Sequence, residues 1–314
     1  MSDVSVRGRI DRDGPIQVVA EVVARRRSGP YVTLVLAAPA LAARCRPGQF
    51  LEIAVEAPGT LLRRPLSIAR AADSADGGVG TVEIVVGPDG VGSAWLAEVH
   101  TGERLDVVGP LGRAFPLPQR TASCLLVGGG YGAAPLHYLT EVLVPLGHRV
   151  DLIVGASTED TLLHSLEAKR IAHSLRTTTD DGSAGQRGRV TDVMAEAVER
   201  GGTDVIYACG PNAMLAAVSV VGARLGIEVR VALEERMACG LGICFTCVIP
   251  VSDRSGEVQM RRSCIDGPVM DGARVEWRRM GLDAAVDAAE GMRLAGAGVV
   301  NDPGGVDGSD GGVR

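Results

Sequence analysis

The sequence predicts a multidomain β plus α/β chain: an N-terminal antiparallel β-barrel, a central doubly wound parallel sheet and a small C-terminal domain built around cysteines. Three observations predict it. Short β-rich runs recur between glycines and prolines up to about residue 115, strand-like and helix-like runs alternate from about 121, and four of the seven cysteines fall within residues 239–264. Evenly spaced short strands suit a small barrel, and alternation suits a parallel sheet covered by helices. The expected divisions are 15–118, 119–230 and 231–280, and the Gly- and Asp-rich residues 291–314 are expected to form a disordered tail.

Bulk properties narrow the function classes. The 314 residues are 46% hydrophobic and 22% charged, an ordinary globular composition. A net charge of −6 argues against a nucleic-acid partner. No apolar run reaches the ~18 residues that span a bilayer, and Met1–Arg7 has no secretory apolar core. No membrane and a cytoplasmic location are therefore expected. An odd cysteine count with metal-type spacing fits a reducing compartment.

In the first division, strands are expected at 17–23, 31–36, 50–55 and 81–86, with a short helix from Ser93 to His100. Between them lies Arg63-Arg64-Pro65-Leu66-Ser67-Ile68. Its arginine fork suits a pyrophosphate and its serine hydroxyl a flavin edge, although, taken alone, the hexapeptide reads better as an edge strand with solvated arginines. Gly90-Val91-Gly92-Ser93, before the short helix, is a second candidate phosphate cradle.

In the second division, Cys124-Leu125-Leu126-Val127 is a buried strand. Gly128-Gly129-Gly130-Tyr131-Gly132 and an apolar helix from Ala133 to Val144 follow it. Small residues there let a pyrophosphate approach backbone N–H groups at the positive helix end; the alternative is a plain tight turn. Further strands are expected at 150–154 and 204–208, with helices at 159–171, 190–200 and 211–225. No Arg or Lys lies in Gly155–Asp160, so nothing there awaits a 2′-phosphate and NADH is favoured over NADPH. Cys209-Gly210-Pro211 ends a strand, where ligands bind in such sheets. Contact with a nicotinamide and a small buried hydrophobe are the two readings of Cys209.

The third division carries the most specific signal. Cys239, Cys244 and Cys247 have C-x4-C-x2-C spacing, and Cys264 follows after sixteen residues. This is the plant-type [2Fe–2S] pattern, a one-electron carrier. Gly240 and Gly242 are expected at φ > 0, with their N–H groups turned to the negative cluster. Four thiolates also suit Zn²⁺, so a zinc-binding or redox-sensing regulatory module is the rival from another class. Glu234, Glu235 and Arg236 read as a solvated charge cluster.

The order of these motifs, over about residues 15–278, resembles the ferredoxin–NADP reductase superfamily. More narrowly, it resembles the electron-transfer subunits of NAD-dependent (type 1B) dihydroorotate dehydrogenases. The resemblance implies an FAD barrel, an NAD domain and a [2Fe–2S] domain. It implies that Arg64, Pro65, Leu66 and Ser67 hold FAD, with Gly92 and Ser93 near its pyrophosphate. Gly129, Gly130 and Gly132 would face NAD(H), Cys209 the nicotinamide, and Cys239, Cys244, Cys247 and Cys264 the iron. Leu66 stands where many relatives place a flavin-stacking Tyr, and Phe115 is the candidate substitute. The implied partner is a flavin-containing dihydroorotate dehydrogenase catalytic subunit, in a heterotetramer serving pyrimidine biosynthesis. Related subunits serve ferredoxin, sulfhydrogenases or oxygenases.

Overall fold

Alternation of inward and outward side chains builds the first layer. Strand β1 (Ile16–Ser28) turns Ala20 and Val22 fully inward while Val19 and Val23 face solvent. The structure is a computed structural model and describes residues 14–73, 78–163 and 166–294. The expected tail at 291–314 lies mostly outside these residues. Strands β2 (Tyr31–Ala37), β3 (Phe50–Ile53), β4 (Arg64–Ala72), β5 (Thr81–Val86) and β6 (Arg104–Leu111) join β1 in a closed antiparallel barrel of order β1-β2-β5-β4-β3-β6. Closure leaves no unpaired edge. Helices α1 (Pro39–Ala42) and α2 (Val91–Glu98) pack beside it. The Arg63–Ile68 segment is thus a barrel strand from Arg64 onward, and Pro65 is tolerated as its second residue. The short helix spans Val91–Glu98, two residues earlier than expected, because Gly90 breaks the chain just before it.

The second layer is a seven-stranded sheet. Strands β7 (Ser123–Gly129), β8 (Arg149–Ala156), β9 (Ser174–Thr179), β10 (Gln186–Arg187), β11 (Val205–Cys209) and β12 (Glu228–Ala232) run parallel in the order β10-β9-β8-β7-β11-β12. Helices α3 (Ala134–Leu143), α4 (Leu166–Ile171), α5 (Met194–Gly201) and α6 (Asn212–Arg224) provide the crossovers. The continuous helix expected at 159–171 is a 3-10 turn at Glu159–Thr161 followed by α4, and the one at 190–200 begins with a 3-10 turn at Val190–Val193. The strand order reverses between β7 and β11, with Cys209 opposite Gly128. The glycine loop and Cys209-Gly210-Pro211 therefore leave the sheet side by side, at the position where open α/β sheets bind ligands.

The third part is a hairpin, β13 (Val248–Ser252) with β14 (Val258–Arg262), then α7 (Ser263–Asp266) and β15 (Val269–Asp271). Strand β15 adds antiparallel to β12, so the cysteine-bearing segment extends the sheet of the second part. A final helix, α8 (Asp283–Glu290), buries Val286 and Ala289 in the sheet core. No helix among the described residues is long and apolar enough to cross a membrane.

Candidate functional site

Hairpin register decides where the last cysteine goes. Val248 pairs with Arg262, so Cys247 just before the hairpin and Cys264 just after it are brought together, and the Ser263 N–H donates to the Cys247 carbonyl at 2.9 Å. The loop before it is shaped by left-handed residues: Gly240 at φ +65°, Gly242 at +77° and Phe245 at +58°. A Cβ on Gly240 would lie 2.6 Å from the Glu52 side chain, and one on Gly242 2.6 Å from Ile265. Both glycines were expected at φ > 0. Arg262 ties the loop to the hairpin by donating to the Gly242 carbonyl at 2.9 Å and covering the Phe245 ring at 5.0 Å.

Hydrogen bonds join Cys239 to Cys244 and Cys247 to Cys264, and Cys239 also acts on Cys264 through its charge, so two pairs of thiols share one site. Among the described residues, no three His, Cys, Asp or Glu groups converge as ligands of one ion. Two pairs match a two-iron cluster, in which each iron takes two thiolates. The first pair is the outer one: Cys244 is exposed, and hydrogen bonds from the Thr246 hydroxyl and N–H, then from Cys239, pull its thiol down to about 6. Burial, then Cys247, pushes Cys264 up to about 12. Cys247 and Cys264 are 2% and 0% exposed and pack with Phe50, Leu111 and Met237.

Phe50 is also a wall of a cavity of about 170 Å³. Pro65, Leu66 and Ser67 reach this space from β4, Gly132 from the glycine loop and Cys209 from β11. Five expected residues from two divisions thus share one space. Burial, then the nearby Glu234 carboxylate, pushes the Cys209 thiol up to about 12, so it presents a neutral thiol. Tyr131, Met237 and Glu235 also line the cavity and were missed as site residues. Tyr131 was visible as the one large residue within the glycine loop. Its hydroxyl donates to Glu234 at 3.0 Å and its ring lies 5.6 Å from Tyr31. Asn212 donates to the Glu235 carboxylate at 3.0 Å, so Glu234 and Glu235 are pinned to this junction and not merely solvated. Phe115 is no substitute for a stacking ring: it is 3% exposed and packs edge-on against Tyr207 at 5.4 Å.

Arg63 and Arg64 separate. Arg63 pairs with Asp106 at 2.8 Å, whereas Arg64, among the described residues, donates to the carbonyls of Leu62 and Arg63 and lies against the first turn of α2. A Cβ on Gly92 would collide with the Arg64 Nε. A guanidinium at the positive end of a helix is unfavourable alone, and an anion shared by both reverses the sign. The Ser93 hydroxyl is engaged with Gly90, accepting from its N–H at 3.0 Å. Arg64, Gly92 and Ser93 line neither this cavity nor the larger one beyond the glycine loop.

That second cavity is about 650 Å³. Gly129 and Gly130 border it with Ser157 after β8 and Thr178 in β9. Gly130 takes φ +55°, while Gly129 and Gly132 serve close packing: a Cβ would stand 2.6 Å from the Met214 sulfur and from the Gly210 Cα respectively. Arg189, outside the segment read for coenzyme choice, also lines this cavity.

Comparison with known proteins accounts for all three parts. Residues 28–115 match an oxidoreductase FAD-binding domain, 126–220 an oxidoreductase NAD-binding domain and 234–276 the iron–sulfur cluster binding domain of dihydroorotate dehydrogenase B. The dihydroorotate dehydrogenase B (NAD⁺) electron-transfer subunit of Geobacillus thermodenitrificans is 40% identical over 247 residues, 77% of this chain and 91% of that one. This chain belongs to the dihydroorotate dehydrogenase B electron-transfer subunit family. The family member from Desulforamulus reducens is 33% identical over 241 residues, 76% of this chain and 90% of that one. A solved NADH-dependent reduced ferredoxin–NADP oxidoreductase is 30% identical with a TM-score of 0.73, covering 86% of this chain and 94% of its own. The ferredoxin reductase of carbazole 1,9a-dioxygenase, 24% identical at a TM-score of 0.57 over 68% of this chain and 67% of that one, shares the fold. As a dihydroorotate dehydrogenase B electron-transfer subunit, the chain is an NADH-dependent flavin and iron–sulfur oxidoreductase. The two-by-two thiols, the Arg64–α2 cradle and the strand-end cavities fit its cluster, FAD and NAD.

Proposed function

We propose that this chain passes electrons from NADH, through FAD and a [2Fe–2S] cluster, to a dihydroorotate dehydrogenase catalytic subunit in cytoplasmic pyrimidine biosynthesis. One observation carries the reading. Phe50 and Met237 both line the small cavity and both pack against Cys247 and Cys264, so the flavin-side space and the buried cysteine pair are one side chain apart. FAD, when bound, supplies the conversion between a hydride pair and single electrons.

The residues divide that work. Pro65, Leu66 and Ser67 form the flavin-side wall, and Arg64 with the Gly92-Ser93 turn offers the positive cradle for a pyrophosphate. Gly129, Gly130 and Gly132 let a dinucleotide approach, and the neutral Cys209 thiol borders the nicotinamide. Cys239, Cys244, Cys247 and Cys264 hold the cluster. We assign residues 15–118 to the FAD part, 119–230 to the NAD part and 231–280 to the cluster part. Around exposed Cys244, Leu241, Ile243 and Phe245 are 47%, 74% and 59% exposed. An apolar rim of this kind supports protein docking, here by the catalytic subunit in a heterotetramer.

Two measurements test the proposal. Cys247→Ser is expected to abolish the cluster's electron paramagnetic resonance signal while NADH still reduces artificial two-electron acceptors; joint loss of FAD and dye reduction overturns the assignment of the cysteines to the cluster alone. Copurification with a dihydroorotate-oxidising subunit is also expected. The likeness to the ferredoxin–NADP oxidoreductase gives the second reading, and copurification with a ferredoxin instead would select it.

A further inference from the structure

Helix α8 lies beyond the three matched segments, the last of which ends at residue 276, yet it forms part of the larger cavity. Its eight residues divide into three stripes. Val286 and Ala289 are buried in the core shared with α6. Asp283, Asp287 and Glu290 face Arg278, whose nitrogens lie 3.6, 2.8 and 3.1 Å from them. Ala284, Ala285 and Ala288 line the cavity. Arg224 at the end of α6 donates to the Ala289 and Met292 carbonyls at 2.5 and 2.8 Å, closing the C-terminal end of α8. The helix is therefore fixed from two sides with its third stripe open to the cavity.

The two cavities meet at the glycine loop. Tyr131, Gly132 and Cys209 border the small one, and Gly129, Gly130 and Pro211 border the large one. A dinucleotide with its nicotinamide at Cys209 must place its adenosine half in the large cavity, whose volume of about 650 Å³ is in the usual range for such ligands. We propose that α8 is a wall of the adenosine half of the NADH site, and that Ala284 and Ala288 set its width. The proposal rests on the NADH reading of this cavity. Residues 284 and 288 are one turn apart, so longer side chains at either point project into the same space. Both alanines are exposed, which separates their role from that of the buried stripe.

Calorimetric titration of the full-length, cofactor-loaded subunit with ADP-ribose and with nicotinamide mononucleotide tests this. Ala288→Trp is expected to weaken ADP-ribose at least tenfold, to leave nicotinamide mononucleotide unchanged, and to keep the thermal midpoint and dithionite reduction of the wild type. Ala288→Ser should match the wild type. Unchanged ADP-ribose affinity in Ala288→Trp, or equal weakening of both ligands, overturns the role of α8. Gly132→Ala, whose added Cβ meets the Gly210 backbone at 2.6 Å, separates the two readings. If that variant binds ADP-ribose and nicotinamide mononucleotide as the wild type does, the dinucleotide reading itself fails.

Discussion

Glu52 is 1% exposed, and neither of its carboxylate oxygens has a hydrogen-bond partner among the described residues. Burial raises its pKa to about 7 against the opposing pull of Arg63 and Arg64. The folded state therefore holds the proton more tightly than the unfolded chain, and the group's destabilising contribution grows as pH rises from 4.5 to about 7. Glu52→Gln removes that dependence. In urea denaturation, the stability of Glu52→Gln relative to wild type is expected to rise by about 2 kcal/mol between about pH 5.5 and 8, because a tenfold change in proton affinity is worth about 1.36 kcal/mol. A difference independent of pH would show that Glu52 is not protonated on folding. The neighbouring Gly240 was marked in the sequence by its place between cysteines, but its contact with Glu52 was not, because Glu52 lies 188 positions earlier on β3.

The hairpin β13–β14 turns a sequence gap into a cluster geometry. Its register spends the interval between Cys247 and Cys264 on two five-residue strands and their turn, and returns the chain to its starting point. Arg262 then fastens the cysteine loop through Gly242 and Phe245. Arg262→Ala is expected to shorten the cluster's lifetime in air about tenfold, on the order of 1.4 kcal/mol of lost loop stabilisation. The decay of visible absorbance measures it, with flavin content unchanged. Helix α8 was illegible as an element, since its eight residues beside a Gly-rich tail offer Val286 as their one apolar side chain larger than Ala. Its burial depends on α6, which supplies the partner face.

At the scale of the whole molecule, the three parts are interlocked. Gly112 of the barrel closes on Pro268, the Arg113 N–H donates to the Gly267 carbonyl at 2.6 Å, and β15 completes the sheet edge. This places the larger cavity, the smaller cavity and the buried cysteine pair in sequence, with the exposed apolar rim outermost. Ile243→Asp is expected to lower electron delivery to the catalytic subunit at least tenfold, about 1.4 kcal/mol or more of docking energy. NADH–dye reduction should continue at the wild-type rate. Equal loss of both activities would place Ile243 inside the loop's fold and not on its docking surface.

The sequence by itself determined the chemistry: cysteine spacing, glycine loops and strand-end motifs each act within a few residues, so local order along the chain carries them. It also determined the barrel and the parallel sheet, because side-chain periodicity reports burial. Tertiary structure alone decided the rest. It paired the thiols two by two, set Phe50 between the cavity and the cysteines, sent Arg64 but not Arg63 to the start of α2, and brought α8 to the wall of the larger cavity. Each of these depends on close packing between segments far apart in the chain, where shape and volume select the contact and no local pattern records it.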